Sequence, residues 1–148
     1  MVLGDKFIFG PNIPELGLTV FKFDPLYLLS GIFYGGVFEE VMMRLFFMSL
    51  IVFVLFKIFI RKNTSIPTSF YWIAIIIATL LFAVGHLPAT LITFSNVNAI
   101  VIIRMLLLNG LGGIVFGYLY WKKGLEYAII SHMFTHIFTQ LVLLPIFF

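Results

Sequence analysis

Apolar residues run almost unbroken in four stretches, separated by short polar joints. Span A extends from about Pro25 to Ile60, span B from Pro67 to His86, span C from Ala99 to Trp121 and span D from Leu125 to Phe148. Each is near or above the roughly 20 residues needed to cross a bilayer core. The pattern predicts an all-α, polytopic transmembrane helical bundle of about four spans. Span A is too long for one upright crossing, because at about 1.5 Å per residue it reaches roughly 54 Å. It must tilt, kink near Gly35-Gly36, or project beyond the membrane.

The joints have suitable chemistry. Arg61-Lys62-Asn63-Thr64-Ser65 divides A from B, and Pro67 suits a first helical turn. Leu87-Pro88 is expected to end span B, since a residue before proline is pushed out of the helical region. Lys122-Lys123-Gly124 divides C from D. Before Pro25, the residues Asp5, Lys6, Pro11, Pro14, Glu15, Lys22 and Asp24 interrupt any apolar core, so no cleavable signal peptide is expected. Residues 1–24 read as an extramembrane or interfacial lead-in, and residues 25–148 as the transmembrane domain.

Composition sharpens this picture. Of 148 residues, 62% are hydrophobic and 10% charged, whereas soluble domains are near 45–50% and about 25%. Membrane lipid is therefore a partner, and the expected location is the cell membrane, as a multi-pass protein. The absence of cysteine excludes disulfides, thiol catalysis and cysteine metal sites. No basic run exceeds two residues, so the net charge of +3 points to membrane orientation and not to nucleic acid. Lys57, Arg61 and Lys62 at one joint and Lys122 and Lys123 at another share a side if there are four crossings. The positive-inside rule then puts both joints in the cytoplasm and both termini outside.

Candidate chemistry sits where charge interrupts the apolar pattern. Glu39, Glu40 and Arg44 lie inside span A, where each charge costs a few kcal/mol or more unless it faces a protein interior or a water-filled cavity. Adjacent helical residues diverge by about 100°, so the two glutamates have different surroundings. Arg44 lies four residues after Glu40 and shares its face. Glu40 is then the paired carboxylate, and Glu39 is left to face a cavity, where it suits general base work. The bland alternative is that both glutamates only neutralise Arg44.

Three histidines complete the set. His86 closes span B at a depth similar to that of Glu39, about 28 and 27 Å from the basic joint they share. His132 and His136 are four apart and lie on one face of span D, where they can hold an oxyanion, ligate a metal, or act as polar glue between helices. Their depth fits less well, only about 10 and 16 Å from Leu125, which calls for a tilted helix or a shifted boundary. Gly31 with Gly35, and Gly113 with Gly117, read as close-packing pairs. Asn109 and Gly110 are expected to loosen span C, and Arg104 to snorkel to the interface.

Three pieces in fixed order, EEVMMR at 39–44, FAVGH at 82–86 and HMFTH at 132–136, resemble the motifs of the type II CAAX prenyl protease family, also called CAAX protease and bacteriocin-processing proteins or the ABI, lysostaphin-resistance-like family. That family is marked by Glu-Glu-x-x-x-Arg, Phe-x-x-x-His and His-x-x-x-Asn on membrane helices. The resemblance implies an intramembrane endopeptidase without a covalent intermediate and without a cofactor. Glu39 would activate water with His86 assisting, His132 and His136 would hold the oxyanion, and Glu40 and Arg44 would order the site. The substrate would be a peptide or membrane-tethered protein.

Two departures stand out. His136 occupies the place of the family's Asn, and only 24 residues precede span A where family members usually carry further spans. An oligomer or a partner that seals the site is one expectation from the second. Two rival readings follow: a zinc metalloprotease using Glu39, His86, His132 and His136, and a non-catalytic immunity or scaffold member.

Overall fold

The computed structural model describes residues 2–17, 22–60 and 65–148. Among these residues the regular structure is helical throughout. Four helices are long and apolar enough to cross a membrane: α1 (Pro25–Phe59), α2 (Thr68–Thr93), α3 (Ala99–Lys123) and α4 (Leu125–Phe147). The joint at Arg61–Thr64 lies outside the described residues.

Local chemistry sets the ends. The Asp24 carboxylate accepts the backbone N–H groups of Leu26 and Tyr27 at 2.9 and 3.3 Å, and Pro25 fills the first turn where no N–H is needed. Asn98 caps α3 in the same way, accepting from Ile100 and Val101 at 3.0 and 3.1 Å. Gly124 alone joins α3 to α4. Its φ of +114° is open to glycine and strained for other residues.

Span B runs further than expected. His86 interrupts the helix at φ −81°, ψ −5°, but Leu87–Thr93 is helical again. Pro88 falls in the first turn of this segment, where a missing N–H costs nothing. Span A resolves its excess length partly by winding. From Gly31 to Glu39 and from Val41 to Met48, α1 adopts the wider π-helical turn, with Glu40 between the two stretches. Such widened turns concentrate at functional sites in proteins generally.

The four helices close a ring. α2 packs along α3, α3 along α4, α4 against the Gly31–Glu39 stretch of α1, and α2 against its Val41–Met48 stretch. Gly113 and Gly117 admit α2, since a Cβ there would press on Thr79 and Ile75 at 2.9 and 3.2 Å. One apolar core, around Met48, Val52, Ala74, Ile75 and Ala78, is flanked by Tyr120 and Trp121 near the end of α3. The other joins Phe94 and Val101 to Phe9 and Ile13 of the N-terminal turns. Many large apolar side chains, Leu26, Phe33, Phe59 and Ile92 among them, are exposed, as a lipid-facing surface requires.

The N-terminal turns hold Arg104 as well. Its Nε and Nη2 donate to both carboxylate oxygens of Asp5 at 2.6 Å each, and Phe94 lies under the guanidinium. Arg104 therefore does not snorkel. A bidentate carboxylate inside the fold satisfies it better than an interface would. Asn109 does not loosen α3 either; its side-chain amide donates to the Met105 carbonyl within the helix.

Candidate active site

Glu40 and Arg44 are fully buried, and Arg44 Nε donates to Glu40 Oε2 at 2.9 Å. The second oxygen of Glu40, Oε1, is 2.9 Å from His132 Nδ1. A carboxylate facing a guanidinium is an acceptor only, so His132 Nδ1–H is the donor. One carboxylate thus ties two positions of α1 to α4. Arg44 Nη1 and Nη2 have no hydrogen-bond partner among the described residues, and the guanidinium rests over the Phe82 ring instead.

His132 is fixed on three sides. Its ring stacks on Phe116 at 4.5 Å between centroids, meets Phe82 edge-on at 5.9 Å, and lies parallel to His136 at 5.1 Å. With Nδ1 committed to Glu40, Nε2 is the nitrogen left for chemistry. His86 is oriented in a similar way, since its Nδ1 donates to the Phe82 carbonyl at 2.8 Å. Both aromatic partners escaped the sequence reading, although Phe82 belongs to the FAVGH run.

His136 is seated by glycine. A Cβ on Gly31 would approach His136 Nδ1 to 2.6 Å, and one on Gly35 would approach Nε2 to 2.7 Å. A side chain at Gly36 would collide with Met133. The two pairs spaced by four, Gly31 with Gly35 and His132 with His136, are complementary faces of one helix contact.

Glu39 points elsewhere than Glu40. It lines a cavity of about 150 Å³ together with Tyr27, Gly31, Gly35, His86 and His136. A second cavity of about 310 Å³ shares Tyr27, His86 and His136 with the first and adds His132 and Phe116. A further cavity, about 520 Å³, lies away from these groups, among Ser49, Tyr71, Tyr120 and Trp121, and no carboxylate or imidazole of the described residues lines it. All six residues singled out in the sequence therefore belong to one connected region. Among the described residues, no three His, Cys, Asp or Glu side chains are placed to share a metal ion.

The depth expected for span D does not keep it from span A, since His132 reaches Glu40 at 2.9 Å and His136 lies against Gly31 and Gly35.

Fold and site together define a membrane-embedded helical bundle with a carboxylate–imidazole centre, buried at Glu40, Arg44 and His132 and lining cavities at Glu39, His86 and His136. The chain belongs to the type II CAAX prenyl endopeptidase Rce1-like family, a family of membrane proteases, whose match covers residues 21–138. Searches of curated proteins and of solved structures find no match.

Proposed function

We propose that this protein is a multi-pass endopeptidase of the cell membrane that hydrolyses a peptide bond with glutamate-activated water. The carrying observation is the division of labour between neighbouring glutamates. Glu40 is consumed by Arg44 and His132, while Glu39 makes no hydrogen bond among the described residues and lines a cavity with His86 and His136. In this reading Glu39 takes a proton from water, and His86 steadies that water through its free Nε2. The Nε2 of His132 and the ring of His136 face the oxygen that becomes negative as water adds to the carbonyl. Glu40 and Arg44 hold His132 in its tautomer and place.

In this reading the reaction uses no metal or cofactor. The substrate is a peptide or a membrane-tethered protein. The test is incubation of purified protein in lipid nanodiscs with membrane-tethered peptides, and assignment of new termini by mass spectrometry, with and without a chelator. Cleavage that persists in chelator is expected. Cleavage lost in chelator, with zinc recovered from the protein, would establish the metalloprotease reading, and no cleavage of any tethered peptide would favour a scaffold.

A further inference from the structure

We infer that the cavity of about 520 Å³ between α1 and α3 seats an acyl chain of an anionic phospholipid, whose phosphate is held by Lys57 and Lys122. This site is separate from the carboxylate–imidazole centre and independent of proteolysis. Its wall is apolar and aromatic, built by Val52, Phe53 and Phe56 of α1, Tyr71 of α2 and Trp121 of α3. The hydroxyls of Ser49 and Tyr120, 2.7 Å apart, join α1 to α3 at the wall and satisfy each other. An apolar chain can therefore enter without stranding a polar group of that pair.

Charge decides the headgroup. Each lysine lies on a ring of the cavity wall, Lys122 Nζ 3.5 Å from the Trp121 centroid and Lys57 Nζ 5.7 Å from that of Phe53. Phe59 and Trp121 pack on consecutive residues of α2, Phe70 and Tyr71, at 6.2 and 5.0 Å between centroids. The ends of α1 and α3 that carry the two lysines therefore flank the same turn of α2. Among the described residues neither lysine has an ion-pair partner. Basic pockets between membrane helices suit anionic headgroups, whereas a zwitterionic lipid brings its own cation to the phosphate. Trp72, Tyr118 and Trp121 cluster beside the cavity, and such aromatic groups gather at the level of the headgroups. The positive-inside expectation puts this rim on the cytoplasmic leaflet, which carries the negative surface potential. A second copy of the chain packed face to face here would bring lysine against lysine, a juxtaposition that costs several kcal/mol.

The experiment uses the full chain carrying Trp72→Phe, which leaves Trp121 as the only tryptophan. It is placed in phosphatidylcholine nanodiscs with increasing fractions of phosphatidylglycerol or phosphatidylcholine brominated on the acyl chain, and bromine quenches tryptophan fluorescence on contact. The phosphatidylglycerol is expected to quench at a fraction about 10- to 30-fold lower, since each lysine is worth about fivefold toward an anionic lipid. Lys57→Gln and Lys122→Gln should each lose about fivefold of that preference, and the double variant should lose it all. Lys123→Gln is the control, because Lys123 has the same charge and does not line the cavity. Equal quenching by the two lipids would overturn the proposal, as would a preference that survives the double variant. A loss from Lys123→Gln as large as that from Lys122→Gln would show diffuse attraction and no seat. Nanodiscs that hold two copies, with Trp121 shielded from both lipids, would assign the cavity to a second chain instead. No turnover is read, so an inactive protein with the lysine-dependent preference would keep the lipid site and overturn only the proteolytic reading.

Discussion

Gly35 and His136 are in contact so close that a methyl group on the glycine would sit 2.7 Å from the imidazole Nε2. The ring must shift if Gly35 becomes Ala, and His136 also stacks on His132. Misplacement of about 1 Å can cost about 100-fold in rate. Gly35→Ala is therefore expected to lose at least about tenfold in turnover. Gly110→Ala is the control, because no atom beyond its chain neighbours and own helix backbone lies within 4 Å of the added carbon. Equal turnover in both variants would remove His136 from the reaction.

Glu39→Gln keeps the shape of the side chain and removes the base. Single-turnover cleavage should fall by about 10²–10⁴-fold, the usual worth of general base catalysis. Helix content and thermal midpoint should hold, because Glu39 carries no hydrogen bond of the fold among the described residues. Activity above about one per cent of wild type would point to another base.

The Glu40–Arg44 pair makes a stability prediction. Arg44→Ala leaves a fully buried carboxylate facing only His132, and such a break typically costs about 3–5 kcal/mol. Removing both charges in Glu40→Ala plus Arg44→Ala leaves neither charge stranded and should cost less. Thermal unfolding in detergent compares them. A double variant clearly less stable than Arg44→Ala would contradict the pairing argument.

His136 separates two chemistries. If it holds an oxyanion, His136→Asn retains or raises activity and His136→Ala loses about 10²–10³-fold. If it ligates zinc, both variants lose activity and bound metal together, and added zinc partly restores the rate. Rate and elemental analysis on the same two preparations decide between them. Unchanged activity in both leaves His136 as packing between α1 and α4.

Local spacing made part of this legible from sequence. Glu40 and Arg44 are four apart on one helix, and their pairing follows from helical geometry alone. The span boundaries followed from apolar runs and from Pro25 and Gly124. Contacts between distant segments were not legible. Asp5 and Arg104 are 99 residues apart, and no local rule joins them. The continuation of α2 past Pro88 was missed because proline reads as a stop, although it equally suits a helical start. The depths of His132 and His136 were misjudged because periodicity along one helix says nothing of how far its neighbour is shifted.

The carboxylate shared between α1 and α4 also has a consequence in time. Glu40 leaves the ribosome 92 residues before His132. At about 5–20 residues per second, synthesis leaves an interval of roughly 5–18 seconds. During it Glu40 has Arg44 but not its imidazole partner, and no ring yet fills the hollow beside Gly31 and Gly35. Of the four helices described, α4 is made last, and it completes the centre. A nascent chain arrested before α4 is therefore expected to be inert.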